Sequence, residues 1–370
     1  MPGIMGAMSS TGEHADASVR GACDGHFAAV GEAFAENLED EIGAAVVISV
    51  GGRTVVDLCG GWADSRRTRP WTADTVVDVF SIGKAFVALS VLTLDLDLDA
   101  VAWQEATLRQ VLSHQAGHPA FRADMPEEAI YDWDRMIRAL ESQEPWWVPG
   151  SAHGYHVNTF GFLCGEIVRR ATGEPLGARF ARLAGERAGV SFGIRETAEI
   201  AEFVFDQESG TPSAGDRAMS DARRHLLGRT YFNPPGLSGI GTVNSAAWRG
   251  AELPSTNCHA SARGVAAAFA RLPELLGEEM LAEATRPWSD GCDVVLDRHT
   301  RFGLGFQLTQ PDRPLGTGAR SYGHFGAGGQ LGFHDPEADL VFAYVCNRCE
   351  GRRWQTERNR RLLDALATAM

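Results

Sequence analysis

Ser81 and Lys84 stand three positions apart in DVFSIGKAFVA, residues 78–88. On a helix that spacing puts both side chains on one face, so a hydroxyl and an amine can meet. A serine hydroxyl is a weak nucleophile and needs a base. A lysine crowded by apolar neighbours loses solvation, which disfavours its ammonium form and makes the amine a better proton acceptor. The alternative is a helix that starts on a serine cap and carries a solvated lysine, and the spacing alone does not choose. Lys84 is, however, the single lysine among 34 basic residues. A lone lysine in an apolar run is badly placed for a solubilising role.

Two further stretches offer partners. Tyr155 sits in GSAHGYHVNTFG, a Gly-rich loop ahead of a helix. Near an ammonium a phenolate is stabilised and can take or return a proton. A tyrosine packed with its hydroxyl in water is the alternative. His153 and His156 flank it as candidate bases, and no spacing selects either. Asn158 is placed to donate to a substrate or to cap the following helix. The third stretch is YGHFGAGGQLGF, residues 322–333, where Gly323, Gly326, Gly328 and Gly329 let backbone approach a ligand closely. Free N–H groups on such a strand edge can form half of an oxyanion hole. A plain Gly-rich hairpin, with His324 half-exposed, is the alternative.

The elements that must hold these residues fall into three zones. The spacing of Phe27, Val30, Phe34 and Leu38 predicts a helix. GAAVVISVGGRTVVDLCGGWAD predicts a hairpin of two β-branched strands. Between about 100 and 290 the chain reads as helices and loops, including EATLRQVLSHQAG ending at Gly117, a helix after the tyrosine loop ending at Gly173, and NCHASARGVAAAFARLPELL. After 300 short strands return, with a DPEA turn, before the amphipathic run WQTERNRRLLDALATA. Strand-rich ends around a helical middle predict one antiparallel sheet assembled from both ends of the chain, with helices packed on it and a helical insertion beside it.

Composition narrows the function classes. With 44% hydrophobic and 22% charged residues the chain is that of an ordinary globular protein. A formal net charge of -14 argues against nucleic acid or an anionic membrane as partner, since both need a basic footprint. No apolar run reaches the roughly 18 residues of a membrane span. The N-terminus lacks an apolar core behind a basic start, so the expectation is an intracellular, cytoplasmic protein without a signal peptide. Residues 1–21, small and polar, are expected to be a disordered tail. The seven cysteines are expected to be free thiols. Cys346 and Cys349 form a lone CxxC, half of a zinc site and not read as metal-binding. Asp95, Asp97 and Asp99 read as solvated turn residues.

Taken in order, Ser81-Ile82-Gly83-Lys84, the tyrosine loop and the Gly-rich strand with His324 resemble the serine β-lactamase and penicillin-binding-protein superfamily. The likeness extends to VLSHQAGHPAF, WWVPGSAHGYH, NPPGLSG and WRGAELPSTNCHASARGVA, and runs from about residue 25 to the C-terminus. It is nearest to the class C-like branch, with its family VIII carboxylesterases and related transacylases. The resemblance implies an α/β (α+β) fold: an antiparallel sheet flanked by helices, with an all-helical subdomain. Residues 22–370 would form this domain, with a sheet lobe from 22–75 and 295–370 and a helical lobe from 76–294. It also implies Ser81 as the acylated nucleophile, Lys84 beside it, Tyr155 as general base and later general acid, and an oxyanion hole from the N–H groups of Ser81 and Ala327. His324, Gly326, Asn158 and Trp248 would contact substrate, and neither metal nor organic cofactor would be needed. Trp146, Trp147, Phe160, Tyr231 and Phe232 are further candidates to line the cleft.

The chain departs from the lactamase pattern in three places. Val157 stands where class C lactamases carry asparagine, with Asn158 one position later. His324 stands at the lysine of their Lys-Thr-Gly motif. The connection at residues 95–107 is short, which reshapes the cleft mouth. The expectation is therefore an esterase-type hydrolase of a small ester or amide. The alternatives are a transacylase with an amine or alcohol acceptor, a β-lactamase or D-amino-acid peptidase-like enzyme, and a non-catalytic binding protein.

Overall fold

The computed structural model describes residues 18–185, 189–194, 200–206, 220–349 and 355–370. Its centre is a nine-stranded sheet, antiparallel throughout. Numbered in chain order, its strands are β1 (Arg20–Cys23), β2 (Gly43–Val50), β3 (Arg53–Gly61), β4 (Ser289–Cys292), β5 (His299–Phe302), β6 (Gln307–Leu308), β7 (Tyr322–Phe325), β8 (Leu331–Asp335) and β9 (Leu340–Cys346). Their order across the sheet is β1-β3-β2-β9-β8-β7-β6-β5-β4, so N-terminal β2 pairs with C-terminal β9. The hairpin between β2 and β3 turns on Gly51 and Gly52, whose φ angles of 57° and 74° suit the two-residue turn that a twisted hairpin favours.

Both faces of the sheet are covered, which explains why β2 reads as a continuous apolar run and not an alternating one. Val46, Ile48, Phe333 and Phe342 pack with Val30, Phe34, Leu362 and Leu366, from the helices Ala28–Asp40 and Glu357–Ala369. Val47, Val341 and Ala343 face the opposite core with Val265 and Phe269 of the helix Ala262–Thr285. Full burial of one such side chain contributes about 1.5–3 kcal/mol.

Several boundaries differ from expectation. Arg20–Cys23 pairs with β3 at the sheet edge, so part of the expected tail is ordered; residues 1–17 lie outside the described residues. β4 belongs to the sheet although it falls inside the range expected for the helical lobe. The helix Ala262–Thr285 is also in that range, yet it covers the sheet. The helix expected to end at Gly117 spans only Leu108–Leu112. His114 stops it by adopting φ 62°. The carbonyls so released bind the tyrosine loop: that of His114 accepts from Gly154 N–H at 3.1 Å, that of Gln115 from Gly150 at 3.1 Å and that of Gly117 from Trp146 at 2.7 Å.

The helical side is organised around Gly83–Leu92, which starts just after Ser81. All ten of its residues are buried, as a helix apolar on every side must be. It packs against the helices Phe160–Thr172 and Leu176–Ala184, with Phe86 stacked on Phe180 at 5.4 Å. No described helix is long and apolar enough to cross a membrane.

Candidate active site

The turn that presents Ser81 is strained and braced. Phe80, just before it, has φ 47°, a conformation that a bulky residue adopts at a cost of about 1–3 kcal/mol. The Phe80 N–H donates to Asp78 Oδ1 at 2.9 Å. Its ring packs edge-on to Phe203 at 4.7 Å and lies 6.4 Å from Trp248. Burial pushes the Asp78 carboxyl well above the usual range. Gly83 is required by packing, since a Cβ there would sit 2.5 Å from Cys258 Cβ.

Ser81 and Lys84 meet as their spacing allowed. The Lys84 amine lies 3.0 Å from Ser81 Oγ and donates to the Ser255 carbonyl at 3.0 Å. Lys84 is fully buried. Burial holds its amine well below the ordinary lysine range, which favours the neutral form beside the hydroxyl. Tyr155 is 1% exposed and hydrogen-bonded to the Ser81 hydroxyl. The amine lies 4.9 Å from the centroid of the tyrosine ring. Burial pushes the phenol well above its usual value, with the Ser81 hydrogen bond pulling the other way. Burial thus favours the uncharged forms of an amine and a phenol that converge on one hydroxyl.

Residues that the sequence did not single out position Tyr155. Its ring stacks on Phe302 at an interplanar angle of 3° and a centroid distance of 5.7 Å. Its N–H donates to Asp293 Oδ2 at 2.9 Å, and Asp293 Oδ1 accepts from the N–H groups of Val295 and Leu296. His156 is structural: Nδ1–H donates to the Gly154 carbonyl at 2.7 Å, and Nε2 accepts from His118 N–H at 3.1 Å. His153 is also turned away from Ser81, bonding through Nε2 to Thr300 Oγ1 at 3.0 Å.

His324 is fully buried behind Tyr155 and does not line the cleft, contrary to its expected substrate contact. Its Nδ1 lies 2.7 Å from the Phe325 carbonyl, which only accepts, so Nδ1 carries the proton and Nε2 is left as an acceptor. That Nε2 lies 3.4 Å from the Tyr155 hydroxyl, a long contact. Burial lowers the imidazole to about 3. Trp248 is likewise buried, as a core residue behind Phe80, with its indole N–H donating to the Gly236 carbonyl.

The expected oxyanion donors share the cleft with Ser81. Among the described residues neither the Ser81 nor the Ala327 N–H finds a carbonyl acceptor, and both residues line the cleft. Gly326 also lines it and lets β7 approach the nucleophile turn: a Cβ there would lie 2.7 Å from the Val79 carbonyl oxygen. Gln330 fastens the two together, donating to the carbonyls of Asp78 at 2.9 Å and Cys346 at 2.7 Å.

The cleft, part of it open to solvent, spans about 790 Å³ of empty space. Phe80, Val157, Phe205, Tyr231, Phe232, Ile240, Phe325 and Cys349 form most of its wall, and Ser81, Asn158, Ser238 and Thr256 supply polar groups. No charged side chain lines it among the described residues. Asn158 donates to the Thr230 carbonyl at 2.7 Å and to Ser238 Oγ at 2.9 Å, while its own Oδ1 has no partner. Of the aromatic residues expected to line the cleft, Tyr231 and Phe232 do so; Trp146, Trp147 and Phe160 pack elsewhere. Asp95, Asp97 and Asp99 are exposed turn residues, with Asp99 paired to Arg109 at 2.7 Å. All seven cysteines are free thiols. Among the described residues no cluster of His, Cys, Asp or Glu is arranged to hold a metal ion.

A nine-stranded antiparallel sheet with helices on both faces, and a serine at the head of a buried helix opening on the cleft beside it, is the β-lactamase-like fold. The Beta-lactamase family model matches residues 32–367, and the chain belongs to that family. A structure of a family VIII carboxylesterase shares 30% identity and a TM-score of 0.82, over 95% of this chain and 100% of that one. A penicillin-binding-protein homolog from Caulobacter crescentus shares 30% identity and a TM-score of 0.84, with the same coverage. The esterase/beta-lactamase LipL of Mycobacterium tuberculosis is 28% identical over 377 residues, covering 92% of this chain and 85% of LipL.

Proposed function

We propose that this protein is a serine hydrolase acting on neutral carboxylic esters with an apolar acyl or alkyl group, through an acyl-enzyme on Ser81. The observation that carries this reading is the Ser81 hydroxyl bonded to a buried amine at 3.0 Å and to a buried phenol, beside a cleft with no charged side chain among the described residues. The carboxylesterase and esterase/beta-lactamase relatives support it.

In this mechanism the Lys84 amine takes the Ser81 proton as Oγ attacks the ester carbonyl. The N–H groups of Ser81 and Ala327 hold the resulting oxyanion, and such donors contribute about 2.7–4 kcal/mol each. As the tetrahedral centre collapses, the C–O bond to the leaving group breaks. Tyr155 gives the departing alkoxide a proton, with the Lys84 ammonium as its source. Water then attacks the acyl-enzyme by the reverse route. A cleft without a charged side chain among the described residues, with Val157 at the lactamase asparagine position, suits a neutral ester better than a β-lactam or peptide carboxylate. The same acyl-enzyme resolved by an alcohol or amine makes a transacylase, and an apolar wall that limits water favours that partition.

The test is turnover of p-nitrophenyl esters together with fluorophosphonate labelling. Wild-type protein is expected to do both and Ser81→Ala neither. Equal labelling and turnover by Ser81→Ala would overturn the reading and leave a binding protein. Amine added to the loaded enzyme then measures the partition: amide formed faster than acid identifies a transacylase.

A further inference from the structure

The loop carrying the Ala327 donor is held from behind by a buried ion pair. Arg358, in the first turn of the C-terminal helix, is 2% exposed, and Glu41, which follows the first helix, is 4% exposed. Charged side chains are almost never this buried unless paired. Arg358 Nη1 lies 2.9 Å from Glu41 Oε1, and the Tyr344 phenol donates to that oxygen at 2.9 Å. Burial raises the Glu41 carboxyl to about 7, and the Arg358 charge is the main force opposing this.

The other arm of the guanidinium reaches the loop. Arg358 Nη2 donates to the Gly328 carbonyl at 3.0 Å and to that of Arg348 at 3.3 Å. Asn359 continues the pattern, donating from Nδ2 to the Gly329 carbonyl at 3.0 Å. Gly328 and Gly329 have φ angles of 75° and 94° and follow Ala327 directly. The directions of their carbonyls therefore fix how the chain leaves the oxyanion donor to enter β8. A guanidinium is a rigid planar fork, so anchoring one arm on Glu41 aims the other. Buried ion pairs are a weak source of stability, because desolvation offsets the attraction. Aim is what this pair supplies.

We infer that Arg358, oriented by Glu41, and Asn359 are positioning residues for the oxyanion hole, holding the Gly328 and Gly329 carbonyls so that the Ala327 N–H faces the developing charge. This rests on the acyl-enzyme reading above. The paired variant Glu41→Gln/Arg358→Met removes both charges and leaves none unpaired in the core. Arg358→Lys keeps the charge opposite Glu41 but lacks the fork, and serves if the paired variant does not fold.

Ester kinetics, the rate of phosphonate labelling and amide hydrogen exchange across residues 326–330 are compared with wild type. A misaimed donor costs part of the 10²–10³-fold loss seen when one is deleted, so kcat and labelling are expected to fall about tenfold or more. KM should stay within about twofold, because the effect is confined to the transition state. Exchange should quicken in residues 326–330 and not in β2 or β9. A folded variant with unchanged kcat, labelling and exchange overturns the inference. If wild-type protein neither labels nor turns over, the acyl-enzyme reading falls and the oxyanion-hole role falls with it, whereas active wild-type protein with unchanged exchange and kcat in the folded variant rejects the positioning role alone.

Discussion

Replacing Lys84 with methionine separates the chemistry of the amine from its cost to the fold. Methionine is close in length and suits a fully buried site. The substitution removes the proton acceptor 3.0 Å from Ser81 Oγ and leaves the Ser255 carbonyl without its 3.0 Å donor. Loss of a general base costs about 10²–10⁴-fold in rate. The unpaired carbonyl costs about 1–3 kcal/mol of stability. Against that stands the amine itself, whose native pKa lies well below its ordinary 10.5 because of burial. Between those two values the unfolded chain binds a proton that the native protein does not. Wild-type stability therefore falls as pH drops through this window, by about 1.4 kcal/mol per pH unit. Lys84→Met lacks the titration, so its stability relative to wild type should improve at that rate as pH is lowered from 10. Urea unfolding at several pH values, with ester turnover measured alongside, tests both arms. A variant retaining more than about a tenth of wild-type kcat/KM would refute the general-base role. A stability difference that does not change with pH would refute the neutral buried amine.

Three other substitutions probe the site. Gly326→Ala puts a methyl group 2.7 Å from the Val79 carbonyl oxygen, so the oxyanion strand must part from the nucleophile turn; kcat should fall by about 10²–10³-fold with the protein still folded, measured by ester kinetics and circular dichroism. Burial lowers His324 to about 3, so it should add no inflection of its own near pH 6.5, and His324→Phe should lower kcat without moving the acid limb of the kcat/KM profile. Trp248→Phe should leave KM unchanged and cost about 1–3 kcal/mol in a denaturant melt, from lost packing and an unpaired Gly236 carbonyl.

Much of the site could be read in the chain because its chemistry is local. Ser81 and Lys84 share one turn, and the burial of that lysine followed from the apolar residues around it. The hairpin of β2 and β3, the helix ending at Gly173 and the C-terminal helix were legible for the same reason: periodicity and turn glycines act over a few residues. The misplaced residues depend on long-range contacts. His324 and Trp248 have residue types suited to substrate contact, yet one packs behind Tyr155 and the other behind Phe80. Asp293, Gln330 and Arg358 carry no local pattern, because each acts on backbone far away in sequence. The helix expected through Gly117 stops at Leu112 because the His114, Gln115 and Gly117 carbonyls are used by the tyrosine loop.

The sequence by itself therefore determined which groups meet within one helical turn, and that the two ends of the chain build one sheet. Tertiary structure alone decided the protonation states and the cleft. Burying both Lys84 and Tyr155 drives amine and phenol toward neutrality, since a low-dielectric interior penalises either charge. Which aromatic residues face substrate follows from the packing of the strands and helices around Ser81, and no spacing along the chain encodes that packing.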